Sequence, residues 1–177
     1  MSGGDGEENE CPTTAAAQAR PHGNARLDDA NGRTDRSRVD LNALLPIAHA
    51  AATFFMTGVI WFVQIVHYPL FGRVGAADFR AYEREHARRT GWVVGPAMIV
   101  ELALALALAI RGGALAWTGL ALLGVIWAST AFVQVPLHRR LATGPDEAAQ
   151  RRLVRTNWLR TVAWSGRAVI ATTLATG

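Results

Sequence analysis

Trp92 to Ile110, WVVGPAMIVELALALALAI, is a run of nineteen residues with one charge, Glu101, in its middle. A stretch so long and apolar reads as a membrane-spanning helix rather than as the core helix of a soluble domain. At ~1.5 Å of rise per residue, Glu101 lies roughly 14 Å from the Trp92 end, near the midplane of a ~30 Å hydrocarbon core. An ionisable group at that depth costs on the order of 3 kcal/mol unless it is paired, protonated or facing a wet cavity, so it marks a functional or partner-binding site.

The rest of the chain supplies three more stretches of this kind. Half of the 177 residues are hydrophobic, and they are concentrated after residue 40. The expected spans are about 44–68, 92–110, 115–137 and 153–174, which makes the fold class all-α: an integral membrane four-helix bundle. Residues 1–40 carry eight acids and five Arg with one Leu, one Val and no aromatic. Such a segment cannot bury enough apolar surface to offset its ordering entropy, so it is expected to be a disordered tail, with the transmembrane domain occupying 41–177. It has neither the basic start nor the apolar run of a signal peptide.

All 18 basic residues are Arg, and they cluster where membrane loops need them. Without a separate basic domain carrying aromatics, the chain offers nothing for nucleic acid. Cys11 is the single cysteine, which excludes an intramolecular disulfide or a CxxC pair. The connections after spans one and three hold Arg73, Arg80, Arg84, Arg88, Arg89 and Arg139, Arg140, Arg151, Arg152, against Arg111 alone between spans two and three. The positive-inside rule puts both connections in the cytoplasm and both termini outside, in a bacterial cytoplasmic membrane.

The polar residues of the spans are not scattered. On a helical wheel His49, Thr53, Thr57, Trp61, Gln64, His67 and Tyr68 fall within a ~120° sector of span one, closed before Pro69. Span three repeats this with Trp127, Thr130, Gln134 and His138, and span four with Asn157, Arg160, Thr161, Trp164 and Arg167. These faces are expected to look into protein rather than lipid, with Arg160 either turned inward or snorkelling. In the connection before span two, Ala76, Phe79, Tyr82 and His86 recur at three- and four-residue spacing, which predicts a short amphipathic helix in the interface. Gly95 and Pro96 are expected to kink the span that follows.

Sliding the chain by 66 residues lays Gly58-Val59-Ile60-Trp61 on Gly124-Val125-Ile126-Trp127. The same offset puts Arg73 on Arg139, Arg89 on Arg155, Thr90 on Thr156 and Trp92 on Trp158. This suggests two tandem helical hairpins related by an axis along the membrane normal. It also places Arg167 at the position equivalent to Glu101, so the two charges share a depth and an ion pair between spans two and four becomes geometrically permitted.

His67, His86 and His138 are expected at one membrane face, where imidazoles could hold a metal or a haem iron. No HxxxH or HxxE spacing on a single helix supports this, and interfacial histidines that hydrogen-bond backbone or head groups are the plainer reading. No cofactor is assigned. The absence of GxGxxG, Walker, nucleophile-elbow and HExxH motifs argues against a hydrolase or a nucleotide-driven pump.

The segments VQIVHYPLF (63–71), RRTGWVVGPAMIVE (88–101), QVPLHRRL (134–141) and RTNWLRTVAW (155–164) resemble a group of small, uncharacterised bacterial four-span integral membrane proteins. More distantly, the Pro ending span one, the Val-Pro-Leu ending span three and the Arg opening span four are similar to the anthrone oxygenase-like family. That resemblance implies a four-helix membrane bundle and, in some members, oxygenation of polycyclic phenols. Where that family tends to show Asn after Val-Pro-Leu, this chain has His138.

The functional expectation is a polar intramembrane interior that binds a lipophilic small molecule or a protein partner. Its candidate residues are Glu101, Arg167, Gln64, His67, Trp61, Trp127, Gln134, His138, Asn157, Arg160 and Trp164. One alternative is a membrane oxidoreductase or oxygenase acting on a quinone-like or phenolic substrate, with Glu101 and a His as acid and base. The other is a proton-coupled carrier subunit with Glu101 as proton site, for which four spans are few unless the chain forms a homo-oligomer.

Overall fold

The computed structural model describes residues 41–177, with side chains from Ala43 onward. The expected tail, residues 1–40, lies outside the described residues. What is described is all helical, without a strand. Three helical segments, Ala43–Arg73, Phe79–Arg111 and Ala114–Leu141, are long and apolar enough to cross a membrane. The last helix, Glu147–Thr176, does not meet that measure, because Arg151, Arg152, Arg155, Arg160 and Arg167 dilute its apolar residues.

The first segment comprises α1 (Leu41–Phe62), a π turn (Val63–His67), the short α2 (Tyr68–Leu70) and a 3₁₀ turn (Phe71–Arg73). The third is built alike, from α4 (Ala114–Ser129), a π turn (Thr130–Gln134) and α5 (Val135–Leu141). In each, a proline stands two residues past the π turn, Pro69 in one and Pro136 in the other. Proline brings no N–H, and its ring collides with the carbonyl four residues back; the wider π turn opens the coil where that collision would fall. The helix therefore continues through Pro69 to Arg73 instead of closing before it, and the third segment reaches Leu141 rather than ending at 137.

Helix α3 (Phe79–Arg111) is one continuous helix of 33 residues. The amphipathic stretch expected to lie separately in the interface is its first turns, and the helix passes through Gly95 and Pro96 without interruption. At ~1.5 Å per residue it is about 50 Å long, so it extends well past a ~30 Å hydrocarbon core. The turn to α4 is made by Gly112 and Gly113 at φ of 97° and 100°, backbone angles that favour glycine. Helix α6 (Glu147–Thr176) begins at Asp146, whose side chain accepts the Ala149 N–H at 2.9 Å.

Helix α6 packs chiefly on α1 and α4, and α3 on α1 and α4. Two apolar clusters result. One gathers Met56, Ile60, Met98, Leu123, Ile126, Ala163 and Trp164. The other gathers Tyr68, Phe71, Phe79, Leu137, Leu141, Ala149 and Leu153 near the α2 and α5 ends. Ile47, Phe62, Ile110, Phe132, Val162 and Val169 point outward and are more than half exposed.

Candidate functional site

The residues expected to form one polar interior occupy three levels. Deepest from the basic connections, Arg167 donates from Nε and Nη2 to Glu101 Oε1 at 3.2 and 3.1 Å. Trp164 adds its indole N–H to the same carboxylate, at 3.3 and 3.1 Å to the two oxygens. Arg167 Nη1 donates to the Gly119 carbonyl, and Nη2 also meets His49 Nε2 at 3.2 Å. A guanidinium only donates, so His49 accepts at Nε2 and carries its own proton on Nδ1. Glu101 and Trp164 are fully buried, Arg167 is 1% exposed and His49 3%. Arg167 thus turns onto Glu101, and both side chains are enclosed by protein.

Midway, Asn157 Nδ2 donates to Gln64 Oε1 at 2.8 Å, and Gln64 Nε2 to the Val154 carbonyl at 3.3 Å. Gln134 donates to the Thr156 hydroxyl at 3.1 Å. These bonds tie α6 to both π turns, whose wider coil carries Gln64 and Gln134 inward.

The third level joins α2, α3 and α5. Tyr68 Oη lies 3.0 Å from His138 Nε2, and His138 Nδ1 lies 2.6 Å from Glu83 Oε1. With Glu83 as carboxylate, His138 donates from Nδ1 and accepts the tyrosine proton at Nε2, a fixed order of carboxylate, imidazole and phenol. The Arg160 guanidinium interacts with the same Tyr68 hydroxyl. His67 Nε2 and His86 Nδ1 are 2.7 Å apart, and the Thr90 hydroxyl is 3.1 Å from the same His86 nitrogen. Phe71, fully buried, fills the centre with its ring 5.0 Å from both His67 and His86.

The three histidines proposed from sequence as metal candidates therefore do come together. Among the described residues, however, no group of three His, Cys, Asp or Glu side chains is arranged as a metal site. His138 uses both ring nitrogens on Tyr68 and Glu83, and His67 and His86 use one each on the other.

Beside this third level runs a cleft of about 540 Å³ between α1, α3 and the third segment. Met56, Val59, Ile60, Met98 and Ile99 line its apolar end; Tyr68, Arg84, His86, His138, Arg139 and Arg160 line the other. Of the residues singled out from sequence, Trp127, Gln134, His138, Arg160 and the metal candidate His86 line it. Glu101, Arg167, Trp164, Gln64, Asn157 and His67 do not. Arg160 does not snorkel: it is 7% exposed, with its guanidinium 5.5 Å from the Trp164 ring centre. Arg160 Nε, Trp127 Nε1 and Gln134 Oε1 are buried without a hydrogen-bond partner among the described residues.

Trp61 is the residue that leaves the interior. It is 42% exposed, donates to Ser165 Oγ at 3.0 Å and meets Trp158 edge-on at 5.8 Å, on the rim of the α1 and α6 contact. Glu83 and His49 were not among the site candidates. Glu83 has no exposed surface at all. The signal that could have found it is the spacing Phe79, Glu83, His86, Thr90, one face of a helix at steps of four, three and four. Compared with family models, curated proteins and solved structures, the chain matches none.

Proposed function

We propose that this chain is a small integral membrane protein of a bacterial cytoplasmic membrane, a bundle of four spans, whose cleft binds a lipophilic small molecule. In this reading α6 is the fourth span, its arginines masked by Glu101, Trp164 and Tyr68, and the arginine-rich connections face the cytoplasm with both termini outside. The cleft carries the proposal. About 540 Å³ of mainly apolar lining with polar groups at one end is the usual form of a small-molecule site. The Glu101–Arg167 pair belongs to the framework in this reading, since neither residue lines the cleft. The test is to purify the protein in mild detergent, extract it with organic solvent and identify co-purifying small molecules by mass spectrometry. Met98→Trp, which fills the apolar end, should abolish their recovery while the helical circular dichroism persists. Equal recovery from both proteins would defeat the reading.

One observation favours a second reading, a membrane oxidoreductase or oxygenase for a quinone-like or phenolic substrate, as the resemblance to the anthrone oxygenase-like family implies. Glu83, His138 and Tyr68 stand in the order that lets a phenolic hydroxyl pass its proton to an imidazole held by a carboxylate. Oxygen consumption by the purified protein with a panel of polycyclic phenols, lost in Tyr68→Phe, would support it; no consumption with any of them would count against it.

A further inference from the structure

The cleft is polarised in charge as well as in polarity. Arg84 comes to it from α3, Arg139 from α5 and Arg160 from α6, and among the described residues no carboxylate lines it. The arginines near the first two hold carboxylates: Arg88 and Arg89 share Glu85, and Arg140 binds Asp146. Arg84 and Arg139 hold no carboxylate among the described residues, although Glu83 and Glu85 flank Arg84 in sequence. Glu83 is instead turned onto His138 and Glu85 onto Arg88 and Arg89. Acids are therefore at hand in this region, and among the described residues none is turned to the cleft.

The cleft is also long. Its lining on α3 runs from Arg84 to Ile99, fifteen steps along the helix, or about 22 Å at ~1.5 Å per residue. Half of a ~30 Å hydrocarbon core is roughly 15 Å, so a molecule lying in the cleft with its head among the arginines reaches through one leaflet. A guanidinium pairs best with a carboxylate or phosphate, by charge-assisted hydrogen bonds that a neutral head cannot match.

We propose that the ligand of the cleft is a single-chain amphiphile with an anionic head, a carboxylate or a phosphate monoester, its head held between Arg84 and Arg139 and its chain lying toward Met98 and Ile99. This rests on the cleft being the ligand site. The Arg160 guanidinium, deeper along the wall and engaged with Tyr68, extends the positive field inward without closing the cleft. Arg84 and Arg139 are both exposed, so each can turn to an anionic head at the mouth of the cleft.

The experiment uses 11-(dansylamino)undecanoate and its methyl ester, titrated onto the protein in a nonionic detergent and followed by dansyl emission. The carboxylate should bind at least about tenfold more tightly than the ester. Arg84→Gln with Arg139→Gln should bring the ratio of the two affinities toward one, a ratio that a general loss of folded protein does not imitate. Dodecyl phosphate should displace the carboxylate probe, and inorganic phosphate or acetate at the same concentration should not. Equal binding of acid and ester overturns the anionic head and leaves the cleft reading standing. Binding of neither probe removes both. Displacement by inorganic phosphate alone identifies a free-anion site and overturns the amphiphile.

Discussion

Arg167 reaches Glu101, a residue 66 positions earlier, with two N–H groups aimed at a single carboxylate oxygen. Both side chains are out of contact with solvent, so each depends on the other to offset its desolvation. Replacing one partner strands a charge: Glu101→Gln or Arg167→Met should each cost about 3–5 kcal/mol. Glu101→Gln combined with Arg167→Met should cost clearly less than the sum of the two. Unfolding in mixed detergent and denaturant measures the cycle, and a double variant as unstable as the summed single ones would show that the residues are uncoupled.

Two glycines of α4 should respond in opposite directions. A Cβ on Gly119 would stand 3.4 Å from Ile170 Cγ2 and 3.7 Å from Arg167 Nη1. The branched side chain of Gly119→Val therefore crowds the contact that accepts Arg167, and should cost about 1–3 kcal/mol. A Cβ on Gly124 would meet nothing within 4 Å. In a helix interior, Gly124→Ala should gain about 0.5–1 kcal/mol from backbone entropy alone. Melting temperatures in one detergent decide both.

Phe71 has no exposed surface and is packed among the rings of His67, Tyr68, Phe79, Tyr82 and His86. Phe71→Ala should cost about 3–5 kcal/mol through the cavity it leaves. Phe132, 81% exposed, should tolerate the same change within about 0.5 kcal/mol. Equal losses at the two positions would mean that the α2 and α5 end is not packed as described.

Asp146 lies between the helical segments, where the Ala149 N–H foremost, and Arg140 as well, hold its carboxyl below the usual 3.8. A folded-state pKa lowered in this way means that the stability it contributes is complete above the ordinary value and is lost as the pH falls through the folded one. Asp146→Asn keeps a side-chain acceptor for the Ala149 N–H without titrating. The stability difference between wild type and this variant should therefore stay flat from about pH 7 to about pH 4 and shrink below that. A difference that grows on acidification would contradict the assignment.

The long helices were legible because their signal is local: runs of apolar residues need no knowledge of partners. The relation between Glu101 and Arg167 was legible for another reason, since an internal offset carries depth from one span to another. The π turns were not legible. A uniform helical wheel rotates every residue by the same angle, and a π turn inserts about one extra residue, so positions beyond it swing by roughly 100°. The direction of the Trp61 side chain depends on where Ser165 and Trp158 stand on another helix. Glu83, in the run Tyr82-Glu83-Arg84-Glu85, has charged residues beside it and carries no local mark of burial. Its burial follows from α3 being one continuous helix from Phe79, which delivers that face to His138. The cleft lies between walls on separate segments, and no single stretch of sequence encodes it.

A residue that touches its own equivalent under a repeat stands where the axis of that repeat passes. If the 66-residue offset is a repeat of structure, Glu101 and Arg167, which are in direct contact, mark that place. Two copies of the first hairpin would set glutamate against glutamate there, and two copies of the second arginine against arginine. On that reading neither half completes itself with its twin, and the single chain brings this acid to this base.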